Sequence, residues 1–194
     1  AMKDATTGTG SIAIGYYAGR YPEGTHNTFI GDKAGSGTTA TRTAYENVGI
    51  GREALLDITS GYWNVAMGNY AATNLTTGHE NVILGYKSAQ AATTVMRESV
   101  IIGANAMYSY TTNSSHGRFT VIGAGAGYSV VSTDSGKNSY MAIGFNAGYS
   151  DKSDANHLLV GPSAGYYLSG SGDASVFMGG SAGKGKSTGY IAID

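Results

Sequence analysis

The stretch Asn27-Thr28-Phe29-Ile30-Gly31-Asp32-Lys33-Ala34-Gly35 sets the pattern on which the chain is built. An Asn or Ser leads, three mostly apolar residues follow, then come a glycine, two variable residues and an Ala, often with another glycine behind it. The phrase returns as Asn64-Val65-Ala66-Met67-Gly68-Asn69-Tyr70-Ala71-Ala72 and as Met141-Ala142-Ile143-Gly144-Phe145-Asn146-Ala147-Gly148. Its glycines are Gly15, Gly31, Gly51, Gly68, Gly85, Gly103, Gly123, Gly144, Gly161 and Gly179, at intervals of 16 to 21 residues. Ten units fill the chain, and Tyr190-Ile191-Ala192-Ile193-Asp194 opens an eleventh. Each unit must solve the same packing problem as its neighbour, which is the mark of a solenoid.

Aligned on the glycine, each column has a task. The residue before it is always large and apolar (Ile14, Ile30, Ile50, Met67, Leu84, Ile102, Ile122, Ile143, Val160, Met178). Two residues further back the column is mostly β-branched or apolar, from Ile12 and Thr28 to Leu158 and Val176. Side chains alternate along a strand, so these two columns share a face, read here as the core. The column between them holds Phe29, Ala66, Ile83, Ile101, Val121, Ala142, Leu159 and Phe177 and no polar residue. A strand with one wet face shows polar residues there. The strand is therefore expected to be covered on both faces, by its own coil on one side and by something else on the other.

The glycine marks a corner that needs positive φ or close backbone approach. Three residues later only Ala or Ser occurs, as the inside of a tight turn requires. A helix would show apolar spacing near 3.6, whereas each unit offers a four-residue β-like run and a glycine. The predicted fold is all-β: a parallel β-solenoid of about ten rungs stacked ~4.8 Å apart, with essentially no helix. Residues 1–10 read as a lead-in whose first three residues are partly vector-derived, and 11–194 as the repeat domain. Asn27, Asn47, Asn64 and Asn81, followed by Ser99, fall in one column and predict an amide ladder.

Composition narrows the function. The 194 residues include 31 glycines, only 13% charged residues and no cysteine, with a net charge of -1. Disulfides, thiolate catalysis and cysteine zinc sites are excluded, and nothing in the bulk charge draws nucleic acid or an anionic bilayer. No apolar run approaches the ~20 residues of a membrane-spanning helix, so no membrane insertion is expected.

The glycine repeats quoted above resemble those of bacteriophage tail fibres. They are also similar to the head repeats of trimeric autotransporter adhesins, to which Ser11-Ile12-Ala13-Ile14-Gly15 and Ser99-Val100-Ile101-Ile102-Gly103 come closest. The units here are longer and less even than the adhesin rung, which favours the fibre. The resemblance implies a left-handed parallel β-roll, three chains around one axis, and attachment to a host cell surface; with three chains, the apolar middle column Phe29, Ala66, Ile83, Ile101, Val121, Ala142, Leu159 and Phe177 becomes the candidate trimer interface. It also implies a location on the virion tail fibre, or on the bacterial surface under the adhesin reading. Ending within a unit, the chain reads as a fragment.

Several motifs are absorbed by the repeat. Gly180 to Ser187 match the phosphate-loop spelling G-x-x-x-x-G-K-S, but the segment is the tenth unit in register and lacks the helix that the motif needs. The four histidines lack metal-ligand spacing, and the acids scatter through the connectors. Asp151, Asp154 and Asn156 carry only part of a calcium-loop spacing. No cofactor or metal and no enzymatic activity is expected. Five residues past the glycine, Tyr108, Tyr128, Tyr149 and Tyr166 occur in four consecutive units and predict a tyrosine ladder along one edge. Its rings are either structural or a platform for sugars. The longest connectors, 36–46, 108–118 and 128–139, are expected to protrude and carry Tyr110, His116, Arg118, Asp134 and Lys137. These residues and the four ladder tyrosines are the candidate contacts to a surface polysaccharide or protein receptor. The sequence thus points to a non-catalytic homotrimeric attachment fibre, with an adhesin head or a ligand-free shaft as alternatives.

Overall fold

The backbone stacks glycine on glycine. In the computed structural model, Gly31 donates its N–H to the carbonyl of Ile14 at 2.8 Å, Gly51 to that of Ile30 at 2.7 Å, and so on up the column to Gly179 on Val160. The column glycines hold φ between 118° and 139°, and a Cβ at Gly85 would stand 2.4 Å from the Gly103 carbonyl oxygen. No side chain fits that gap, so the rungs close to hydrogen-bonding distance only through glycine. Residues 9–20, 24–37, 43–92, 96–112, 117–132, 139–152, 156–169, 174–185 and 191–193 are described.

The four-residue apolar runs form one parallel sheet. Its strands are β1 (Ile12–Ile14), β2 (Thr28–Ile30), β3 (Val48–Ile50), β4 (Val65–Met67), β5 (Val82–Leu84), β6 (Val100–Ile102), β8 (Arg118–Ile122), β10 (Ser139–Ile143), β12 (His157–Val160), β14 (Ser175–Met178) and β15 (Ile191–Ile193). They pair in chain order as eleven parallel strands, with equivalent columns in register, such as Ala66 on Ile83 and Ile83 on Ile101. A second parallel sheet holds β7 (Ser109–Thr112), β9 (Ser129–Ser132), β11 (Ser150–Asp151) and β13 (Tyr167–Leu168). Among the described residues there is no helix, and the chain is an all-β parallel solenoid as its repeats predict. Connectors 108–118 and 128–139 differ in part from expectation, because 109–112 and 129–132 are strands of the second sheet rather than protruding loops. His116, Asp134 and Lys137 lie outside the described residues.

The faces of the main sheet are the reverse of those expected. Phe29, Ala66, Ile83, Ile101, Val121, Ala142, Leu159 and Phe177 are buried within their own chain, so none of them can present a surface to a second chain. The flanking columns look outward instead, with Ile12 53%, Ile14 58% and Met67 42% exposed. The cause is parity. The asparagine column and the middle column lie on the same side of the strand, and both close on the buried alanines beyond the corner, such as Ala54 and Ala71. Variation in size within the middle column is the trace of an interior in which volume is shared: Phe29 sits beside Gly49, whose added Cβ would meet the ring at 3.0 Å.

The amide ladder forms inside the coil. Asn47 Nδ2 donates to Asn27 Oδ1 at 3.0 Å, Asn64 Nδ2 to Asn47 Oδ1 at 2.9 Å, and Asn81 Nδ2 to Asn64 Oδ1 at 2.8 Å. Each also bonds a turn carbonyl, Asn64 Nδ2 that of Gly78 at 2.8 Å, and the Ser99 N–H ends the run on Asn81 Oδ1 at 3.2 Å. Removing one amide strands buried partners on both sides. Asn64→Ala should therefore destabilise the fold by roughly 2 to 4 kcal/mol, read as a lower urea midpoint, whereas Asn69→Ala, which loses only the exposed bond from the Arg52 N–H to Asn69 Oδ1 at 3.0 Å, should cost about 1 kcal/mol or less.

Candidate functional site: two aromatic ladders and a groove along one sheet edge

The tyrosine ladder forms as predicted. Tyr108 and Tyr128 stack with centroids 5.1 Å apart, Tyr128 and Tyr149 at 4.8 Å, and Tyr149 and Tyr166 at 4.9 Å, with planes within 8° of parallel. Tight stacking has a consequence for binding. The faces of Tyr128 and Tyr149 are covered by their neighbours, so a sugar meets ring edges and hydroxyls there rather than open platforms. At the far end Tyr167 stands edge-on to Tyr166 and is 54% exposed, and Lys184 Nζ lies 5.3 Å from the Tyr166 ring centre.

Tyr110 does not join this surface. It is buried against Phe119 at 4.7 Å between centroids and belongs to the core, which corrects its place among the receptor contacts. Strand alternation decides this: Tyr108 and Tyr110 flank Ser109 at the start of β7, and the second ring turns inward.

A second stack escaped the sequence reading. Tyr45 and Tyr62 lie parallel at 5.0 Å, and Tyr62 and His79 at 4.6 Å. Trp63 stands nearly perpendicular to Tyr62, at 85° and 5.1 Å. Both faces of Tyr62 are occupied, so Trp63 sits across its edge. The indole N–H is held by Glu46 one rung away. The missed signal was a column: six residues before the corner glycine stand Tyr45, Tyr62, His79 and Arg97, joined by parallel bridges.

One residue closer to the glycine runs an outward column, His26, Glu46, Trp63, Glu80, Glu98, Arg118, Ser139, Asn156 and Ala174. From Glu98 to Ala174 it rims a groove of about 550 Å³ along the sheet edge, floored by Phe119, Tyr140, His157 and Ser175 and walled by Met141, Leu158 and Val176. That size is within the range of ligand pockets. Arg118 closes one end through a two-pronged contact with Glu98, Nε to Oε2 at 2.9 Å and Nη2 to Oε1 at 3.2 Å.

Under the groove lies a buried polar knot. His157 Nδ1 accepts the Ser175 backbone N–H at 3.2 Å, its Nε2 faces Asp151 Oδ2 at 3.6 Å, and the Tyr140 ring stands 6.5 Å away. Burial pushes the imidazole down to about 4, and burial together with the Asp151 carboxylate raises the Tyr140 phenol well above its usual value. Tyr140 donates its O–H to the Gly148 carbonyl at 3.2 Å. Histidine, acid and serine here resemble a relay in composition only, because the bond to Ser175 runs to its backbone N–H and all three residues are buried.

Other sequence motifs are dispersed by the fold. Asp151 faces His157, Asn156 Oδ1 accepts the Ser139 N–H at 2.9 Å, and Asp154 lies outside the described residues, so no calcium loop gathers among those described. Gly180 to Gly185 form the corner of the β14 rung, and 186–190 lie outside the described residues. The class that the fold defines is a parallel β-solenoid protein with a long apolar outer face. No protein-family model, curated protein or solved structure matches the chain.

The His157 knot fixes a pH dependence. The unfolded imidazole titrates near 6.5 and the native one near 4. As pH falls through that window the unfolded chain takes up a proton that the native rung excludes. Stability present above pH 6.5 is thus lost on the way down, by up to about 3 kcal/mol. Urea midpoints measured at pH 7 and 4.5 should fall in the native protein, and His157→Leu should flatten that slope.

Proposed function

We propose that the protein is a non-catalytic segment of a homotrimeric surface-attachment fibre, of the bacteriophage tail-fibre kind, with a left-handed coil of about ten rungs in each chain. The observation that carries the reading is the outer face of the main sheet. Two columns of Ile, Val, Leu and Met, interrupted only by Thr28 and Thr120, run along it, and Ile12, Ile14, Met67, Val82, Met141 and Met178 are all exposed in the single chain. A stripe of this kind on a rod calls for a partner as long as itself. Three parallel chains would bury it around a common axis, as the resemblance of the repeats implies.

The receptor side is the tyrosine ladder, five residues past the corner glycine. Tyr108, Tyr128, Tyr149 and Tyr166 present a row of hydroxyls and ring edges, with Tyr167 and Lys184 at one end. Such a row suits a surface polysaccharide, whose hydroxyls and ring faces match an aromatic edge. Three copies acting together turn weak contacts into avid attachment. A ligand-free shaft is the second reading, favoured by the mutual covering of the ring faces; an adhesin head would share the same assembly.

Light scattering on the size-exclusion peak tests the assembly. A mass of three times the 19.8 kDa chain is expected. Met67→Glu combined with Met141→Glu should move the mass toward a single chain while leaving the far-ultraviolet dichroism unchanged. A glycan array then separates the readings: retention that is lost in Tyr149→Ala and Tyr167→Ala supports attachment, and silence from an intact trimer supports the shaft.

A further inference from the structure

Beside the second aromatic stack one indole is held rigid with its outer side open. Trp63 stands at 85° to Tyr62 and 83° to Tyr45, with centroids 5.1 and 6.3 Å away, so it lies across the edges of both rings and not within their stack. Glu46, one rung away, accepts the indole N–H and fixes the orientation of the ring. The indole is nevertheless 51% exposed. The middle rings of the other ladder, Tyr128 and Tyr149, offer no comparable surface, because each is stacked on both faces.

The fold does not require an indole at this position. The residue five before the corner glycine is His26, Glu46, Trp63, Glu80 and Glu98 on five successive rungs, and all five hold left-handed backbone with φ between 50° and 61°. The geometry of the rung sets that conformation whichever side chain is attached. Further along, the same column carries Ser139 and Ala174, so neither bulk nor an aromatic ring is needed for a rung to close. A large apolar surface held rigid in water, where glutamate or serine packs as well, is placed for recognition.

The neighbours define what it recognises. Glu46 and Glu80 flank Trp63 in its own column, one strand spacing of ~4.8 Å to either side, and both are exposed. A carboxylate has four lone-pair sites, so each can accept hydrogen bonds beyond those it makes within the chain. A flat indole between two such acceptors matches a pyranose ring, which has an apolar face of C–H groups and a rim of hydroxyl donors. The bases of these columns lie further off or are engaged: His79 Nδ1 is 3.5 Å from Glu80, Arg118 binds Glu98, and His26 and Arg97 stand two rungs from Trp63. An anionic group on the sugar would therefore meet like charge on both sides.

We infer that Trp63 is a stacking platform for a neutral pyranose of a surface polysaccharide, with Glu46 and Glu80 accepting its hydroxyls. The inference deepens the attachment reading and rests on it: it adds an open ring that the covered faces of the tyrosine ladder do not supply, and it names the ligand as neutral, not acidic.

An array of neutral oligosaccharides (glucans, mannans and galactans) and acidic ones (uronic and sialic) tests it with the native protein, Trp63→Ala and Glu80→Gln. Because alanine stands in the same column at Ala174, Trp63→Ala should keep the native dichroism, urea midpoint and mass while weakening retention roughly tenfold. Native retention should fall on neutral glycans, and Glu80→Gln should narrow its margin over acidic ones. Trp63 is the sole tryptophan, so its emission reports on the site without any substitution. Acrylamide should quench it in the free native assembly and quench it less once a retained glycan is added. Retention confined to acidic glycans, a margin unchanged in Glu80→Gln, or retention lost in Tyr149→Ala and Tyr167→Ala but intact in Trp63→Ala overturns the platform and leaves attachment standing. Emission that acrylamide does not reach in the free assembly, or that a retained glycan does not shield, overturns it in the same way. A native protein retained on no glycan overturns both the platform and the attachment reading.

Discussion

Every rung of this protein sits directly on the last because the corner of each unit has no side chain. The N–H of one corner glycine bonds to the carbonyl just before the previous corner, and the space that a Cβ would take is filled by the carbonyl of the next. Any other residue would push the rungs apart by more than a hydrogen bond can span. Between corners the chain tolerates left-handed backbone at ordinary residues, including Lys33, Tyr70, Lys87 and Asn146, but at φ near 55° rather than the wide angle that the corner demands. The glycine column is thus the constraint, and the remaining columns inherit their alignment from it.

Alignment turns composition into ladders. A residue type repeated in one column meets itself about one strand spacing away, which favours groups that bond their own kind. Amides do so by donor and acceptor from Asn27 to Asn81, and tyrosine rings do so by stacking from Tyr108 to Tyr166. Where the second sheet joins, at β7, the buried column changes from Ser99 to Phe119, Tyr140 and His157. Phe119 packs against Tyr110 of the added strand, so the larger rings fill the space that the extra wall encloses.

The same geometry separates the surface into regions with different chemistry. The turn from the main sheet to the tyrosine ladder buries the alanines Ala106, Ala126, Ala147 and Ala164, and the half-buried tyrosines follow two residues later. The outer columns are Ile, Val, Leu and Met interrupted only by Thr28 and Thr120, and the charged residues flank them, as Glu46, Glu80 and Glu98 do before the strands and Arg52, Glu53 and Lys87 after the corners.

The sequence by itself determined the repeat, the absence of helix, the stacking of equivalent columns, and both the amide and Tyr108-to-Tyr166 ladders, because each follows from spacing alone. Three things were decided only in three dimensions. Which face of each strand turns inward depended on the second wall of the coil: Ala66 and Ile101 are apolar like Met67 and Ile102, and hydrophobicity could not rank two apolar faces. Whether Tyr110 belongs to core or surface depended on the alternation of a strand in the second sheet. The Tyr45, Tyr62 and His79 stack arises from a column in which tyrosine recurs only once, and the knot of Asp151 with His157 and the groove arise from columns whose members differ in identity, so no run of one letter announced them. Spacing along a chain encodes what lies above what; which side is covered is encoded only by what the rest of the coil leaves open.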